Sequence, residues 1–142
     1  MFDNDVLEKE AIKELIISAV DARKKAYTLY SDYMVGAALL TNEGRIYTGC
    51  NIENTSYGAT ICAERTAFVK AVSEGKRKFS AIAIVGGKKD EEISSFAYPC
   101  GMCRQVMSEF TTPDSFYIIV AKSVEEYQVY SLEQLLPHSF QQ

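Results

Sequence analysis

The stretch PCGMCRQV, Pro99 to Val106, sets two cysteines at a C-x-x-C spacing at the head of an amphipathic run. CAERTA, Cys62 to Ala67, sets a third cysteine at the head of another. Cysteines that open helices constrain a fold strongly. A helix N-terminus presents unpaired N–H groups and a partial positive charge, and both favour thiolate over thiol. The residues alone leave three uses open: a redox couple at Cys100 and Cys103, a structural zinc site with Cys50 as fourth ligand, or an open zinc centre. Four protein ligands make a closed structural site, whereas three leave a position for chemistry.

An open centre needs a proton carrier, and Glu64 stands two residues after Cys62. Residues two apart on a regular helix do not face each other, so the pair meets at one metal only if Cys62 lies at the cap. Taken alone, Glu64 reads as an exposed helix-start glutamate. Arg65 completes the set, because three thiolates and Zn²⁺ sum to a negative charge that a guanidinium bonded to sulfur offsets. Taken alone, Arg65 reads as a surface arginine.

Around these motifs the chain alternates helix and strand. Asp5 to about Leu29 reads as an amphipathic helix with Ile12, Leu15, Ile16, Ala19 and Val20 on one face, and Asp5 with Glu8 resembles a capping box. YMVGAALL and RIYTGCNI read as two strands joined by the hairpin loop TNEG, with Gly44 left-handed. NTSYGAT is loop. From Cys62 a helix buries Ala67, Phe68, Ala71 and Val72 and stops at Gly75. FSAIAIVG is a strand, GKKDEEISS a polar loop and PCGMCRQVMSEF a helix. SFYIIVA and EYQVYS are two more strands, and SLEQLLPHSF ends the chain with a helical turn and a tail. The expectation is a three-layer α/β/α fold around a mixed five-stranded sheet, one domain over 1–142.

Composition narrows the function. The 142 residues carry a formal charge of −4, against a domain that neutralises phosphates, so no nucleic-acid partner is expected. No apolar run nears the roughly 20 residues a bilayer span needs, and MFDNDVLEKE has no signal-peptide pattern. The expected setting is the cytoplasm, where thiols stay reduced, with no membrane partner. Cys50 alone reads as a small buried apolar residue.

CAERTA and PCGMCRQV together, with VGAAL and GCNIEN, resemble the zinc-dependent cytidine deaminases, in particular the small homotetrameric kind with three cysteine ligands. The resemblance runs from YSDYMVGAALL to LLPHSF. It implies that Cys62, Cys100 and Cys103 bind zinc and that a zinc-bound hydroxide attacks C4 of cytidine or deoxycytidine. Glu64 would protonate N3 and then the departing amine, releasing uridine or deoxyuridine and ammonia, a step of pyrimidine salvage. It places Asn51 and Glu53 on the ribose, which agrees with the alternation of an extended segment. It places the backbone of Ala63 against the base and Tyr33 where the family commonly has phenylalanine against the ring. Tyr57 and Phe140 would reach a neighbouring subunit's pocket.

The chain departs from the pattern in places. Leu29 stands where proline is common before YS, Tyr98 where serine is common before PCG, and His138 where glycine is frequent. These changes touch the pocket rim and bear on substrate preference. His138 reads as a surface or interface residue. Two further readings stay in play, a polynucleotide deaminase and one acting on a nucleoside-like antibiotic. Cys62 in place of histidine and the net acidity oppose the first, and NIEN opposes the second.

Overall fold

The computed structural model describes residues 7–141. A five-stranded mixed sheet runs in the order β2-β1-β3-β4-β5, from β1 (Tyr33–Thr41), β2 (Ile46–Cys50), β3 (Phe79–Lys88), β4 (Tyr117–Ala121) and β5 (Tyr127–Ser131). β1 pairs antiparallel with β2 and with β3, β3 parallel with β4, and β4 antiparallel with β5. The parallel step needs a crossover, and α3 (Gly101–Phe110) supplies it. Gly44, at φ +88°, takes the left-handed position expected in the β1–β2 loop.

The strands alternate their apolar side chains between two cores, as the two-residue period of a strand requires. Ala37, Leu39, Ile82, Ile84, Ile118 and Val120 face α2 (Ala63–Ser73), α3 and the short α4 (Leu132–Leu135). Ala38, Ala81, Ala83, Val85, Ile119 and Ala121 share a core with Ile12, Leu15, Ile16 and Ala19 of α1 (Lys9–Arg23) on the other face. The three-layer expectation is met.

Two glycines let the outer layers come close. A Cβ on Gly36 would lie 2.0 Å from the Ala19 carbonyl oxygen of α1, and one on Gly49 would lie 2.4 Å from the Ala63 carbonyl oxygen of α2. Both helices therefore rest backbone against strand on β1 and β2. Gly49 fixes the depth of the turn that carries Ala63 and Glu64.

The first helix is shorter than its apolar pattern suggests. It ends at Arg23, whose guanidinium donates to the carbonyls of Met34, Gly87 and Lys88 at 3.0, 2.8 and 2.9 Å. Beyond it the chain is captured by the segment after β2, with Tyr27 N–H donating to Asn51 O and Glu53 N–H to Tyr27 O. Tertiary pairing overrides helix propensity there. Asp5 lies outside the described residues, and Glu8, the N-cap, makes no side-chain cap bond. Within the loop NTSYGAT, Tyr57–Ala59 forms a 3₁₀ turn. The terminal helix carries a complete capping box, Ser131 with Gln134. His138 has φ +53°, the left-handed conformation that glycine adopts without cost. The tail then follows α3, where Gln105 donates to the Phe140 carbonyl and Gln141 to Ser108 Oγ.

Candidate metal centre

Cys62 is the N-cap of α2 and Cys100 the N-cap of α3, both in extended backbone. Neither side chain accepts a cap hydrogen bond, so each sulfur is free to turn away from its own helix. Cys103 follows one turn into α3 and is buried. The Sγ–Sγ distances are 4.0 Å for Cys62 and Cys100 and 3.5 Å for Cys100 and Cys103, and all three sulfurs lie within 4.8 Å of one another. A tetrahedral zinc with Zn–S near 2.3 Å separates its sulfurs by roughly 3.8 Å. The donor set fits zinc in both chemistry and spacing. Among the described residues this is the one His/Cys/Asp/Glu group so arranged, and Cys50, at the end of β2, is not part of it. Burial raises the Cys50 thiol, as suits an inert cysteine.

Cys62 and Cys103 are shifted in opposite directions. Hydrogen bonding to Cys103 and to Arg65 outweighs burial and brings Cys62 down to about 5. Cys103, bonded to the Cys62 sulfur and buried, is pushed up. Arg65 Nη2 lies 3.8 Å from Cys62 Sγ and donates to the Thr60 carbonyl at 3.1 Å. Its Nε is buried without a partner.

Glu64 is 5 % exposed. It is no solvent-facing helix-start glutamate. Burial, with the neighbouring Cys62 adding to it against the group's backbone hydrogen bond, raises its carboxyl to about 7. Such a carboxyl can both accept and give a proton near neutrality. Because Cys62 is the cap and not a regular helical residue, the two side chains reach the same place.

These groups form one end of a cavity of about 330 Å³. It opens at the carboxyl ends of β2 and β3, where ligands of open α/β sheets commonly sit. Tyr33, Val35 and Ile84 come from the sheet, Asn51 and Thr60 from the segments around the 3₁₀ turn, and Cys62, Ala63 and Glu64 from the mouth of α2. Phe96, Ala97, Tyr98 and Cys100 form the remaining wall. Tyr33 lies over Gly86 of β3, where a Cβ would come within 3.1 Å of its ring.

Asn51 is already engaged. Its Nδ2 donates to Tyr33 O at 2.8 Å and its Oδ1 accepts from Val35 N–H at 2.9 Å. Glu53 lines an adjoining hollow of about 240 Å³ with Tyr30, Ser31 and Tyr57, and Thr60 borders both spaces. Its carboxylate accepts from the N–H groups of Tyr30 and Ser31, each at 3.0 Å, and from Ser31 Oγ. Tyr57 and Phe140 stand apart from the cavity in this chain, 81 % and 71 % exposed. The sequence reading passed over Thr60, Val35, Ile84, Phe96 and Ala97, whereas it placed Tyr98 at the pocket rim, and Tyr98 does line the cavity.

Three thiols gathered at two helix mouths beside a buried carboxyl define a single-metal hydrolytic centre. Residues 9–119 match the family model of the cytidine and deoxycytidylate deaminase zinc-binding region. The chain is 43% identical over 129 residues to a cytidine deaminase of Sporosarcina psychrophila, covering 91% of this chain and 90% of the relative. It is 45% identical over 126 residues to one of Halalkalibacterium halodurans, covering 89% and 91%. The crystal structure of a cytidine deaminase from Burkholderia pseudomallei superposes with a TM-score of 0.81 at 45% identity, covering 89% of this chain and 97% of that one. The chain belongs to the zinc-dependent cytidine and deoxycytidylate deaminase family, and its cofactor is zinc.

Proposed function

We propose that the protein hydrolyses cytidine and deoxycytidine to uridine and deoxyuridine, consuming water and releasing ammonia. The observation that carries the reading is the buried Glu64 carboxyl beside the three sulfurs at the end of a nucleoside-sized cavity. Cys62, Cys100 and Cys103 would hold the zinc, which would supply the Lewis acidity that makes a water nucleophilic near neutral pH. Glu64 takes one proton from the water and gives it to N3 of the base, then takes the second proton of that water and gives it to the departing amine, which leaves as ammonia. Arg65, bonded to Cys62 Sγ, offsets the excess thiolate charge and keeps the sulfurs from weakening the metal as an acid.

The remaining residues position the nucleoside. The backbone of Ala63 and the ring of Tyr33 meet the base. Asn51 and Glu53 meet the ribose, and their bonds to β1 and to the Ser31 segment support this role by fixing both groups before substrate arrives. The wide exposure of Tyr57 and Phe140 supports their crossing to a neighbouring copy in a homotetramer. Residues 1–142 act as one catalytic domain, in the cytoplasm. Among the described residues no helix is long and apolar enough to cross a membrane.

The test is turnover of cytidine, deoxycytidine and free cytosine by the zinc-loaded protein. Conversion of the two nucleosides without the free base is the expected result. One zinc per chain with no conversion of either nucleoside would overturn the reading.

A further inference from the structure

Tyr98 stands two residues before Cys100 on the wall of the cavity, and the fold has built a mount for it. Its hydroxyl donates to Gln128 Oε1 at 2.7 Å, and the Tyr130 hydroxyl donates to the same oxygen at 2.8 Å. Gln128 and Tyr130 belong to β5, whose pairing with β4 runs through Val120 and Ile118 opposite them. The Tyr98 ring lies 6.1 Å from that of Tyr130 and 6.4 Å from that of Phe96. Phe96 is held from outside in turn, with Lys122 Nζ 4.7 Å from its ring centroid. A side chain that is 48 % exposed is thus fixed at its tip and along its edge by the β4–β5 hairpin. Its other side lines the catalytic cavity two residues before a zinc ligand.

The reacting carbon of a cytosine base is C4, and its ring neighbours are N3 and C5. On the function proposed above, on which this inference rests, N3 faces Glu64 at the mouth of α2. C5 then faces the mouth of α3, where Tyr98 stands. The clamped tyrosine ring closes that side, which the smaller side chain of a Tyr98→Ser variant would leave open. We infer that Tyr98 is a specificity-determining residue that excludes substituents at C5 of the base, and that Gln128 is its positioning residue. The preferred substrates are cytosine nucleosides unsubstituted at C5. A rigid wall discriminates a methyl group far better than a mobile one, because a mobile ring would swing aside at little cost.

The experiment compares kcat/KM for cytidine and 5-methylcytidine in the zinc-loaded wild type, Tyr98→Ser and Gln128→Ala, with the Kd values of uridine and 5-methyluridine as a readout independent of turnover. In the wild type cytidine is preferred, by roughly tenfold or more, the scale of one methyl group against a pocket wall. Tyr98→Ser removes most of that preference in both readouts. Gln128→Ala, at a residue that does not itself line the cavity, moves the ratio the same way by a smaller factor. An unchanged ratio in both variants overturns the assignment of Tyr98. A ratio that moves in Tyr98→Ser but not in Gln128→Ala overturns the positioning role. A wild type that binds zinc yet deaminates neither nucleoside takes down the proposed function and this inference together, a result distinct from an unchanged ratio.

Discussion

Placing a methyl group on Gly49 tests whether the depth at which α2 rests on β2 sets the catalytic geometry. In Gly49→Ala the new Cβ would lie 2.4 Å from the Ala63 carbonyl oxygen, 2.6 Å from Ala67 N and 3.1 Å from Thr66 Cβ. Two of these partners are helix backbone, so no side chain can swing aside, and the first turn of α2 must retreat by roughly half an ångström or more. Overpacking of this kind costs about 1–3 kcal/mol, which for a chain of this size lowers Tm by about 4 °C per kcal/mol. Cys62 and Glu64 ride on the displaced turn while Cys100 and Cys103 stay on α3. A misplacement approaching 1 Å costs roughly 10²-fold in rate, so turnover should fall about ten- to hundredfold. Gly36→Ala is the control, since its Cβ would lie 2.0 Å from the Ala19 carbonyl and 2.5 Å from Arg23 N of α1, on the opposite face of the sheet. It should lose comparable stability with a much smaller change in turnover per folded molecule. Thermal unfolding by circular dichroism, zinc content and kcat on cytidine distinguish the two. A Gly49→Ala protein that melts and turns over like wild type would refute the reasoning, and so would equal losses of turnover in both variants.

Glu64→Gln should keep its zinc and melting temperature and lose roughly 10²–10⁴-fold in kcat, the worth of one acid–base group; near-normal turnover would remove Glu64 from the chemistry. Cys103→Ser replaces a buried ligand and should bind zinc far more weakly by competition with a chromophoric chelator. Chelation should lower the Tm of the wild type by several degrees, as expected of a ligand that binds only the folded state, and should leave the Tm of Cys103→Ser almost unmoved. Burial raises the Glu53 carboxyl, but hydrogen bonds from Ser31 and Tyr30 outweigh it and hold the group below its ordinary 4.5. A depressed carboxyl stabilises the fold above its unfolded-state value, and that contribution is lost as pH falls through the folded value. On acidification below about pH 4.5 the wild type should therefore lose Tm more steeply than Glu53→Gln; parallel curves would show that the Ser31 bonds do not stabilise the native state.

The gathering of Cys62, Cys100 and Cys103 was legible in the sequence because its signal is local. Cysteine at the first position of an apolar periodic run specifies both a helix mouth and a thiol aimed outward. The strands were equally plain, since β3 and β4 carry apolar residues on both faces, as central strands must. The burial of Glu64 was not legible. It depends on β2 lying against α2 at Gly49, a contact no periodicity encodes. The end of α1 was misjudged for a similar reason, because Tyr27 leaves the helix to pair with residues beyond β2. Asn51 and Glu53 were read as two groups on one side of an extended segment, and they do border adjoining hollows that share Thr60. Their service as braces for β1 and the Ser31 loop had no counterpart in the sequence pattern.

Cys100 and Cys103 lie one turn apart on a single helix, whereas Cys62 comes from a helix inserted before β3. Two sulfurs are thus together wherever α3 is formed, but the third joins only when α2 and α3 are both seated on the sheet. Zinc affinity is consequently a gauge of the docking between two helices. A chain in which α2 has lifted away keeps a two-thiol grip, weak and easily exchanged. With these three sulfurs as ligands, metal exchange measured in mild denaturant would register the parting of α2 from α3.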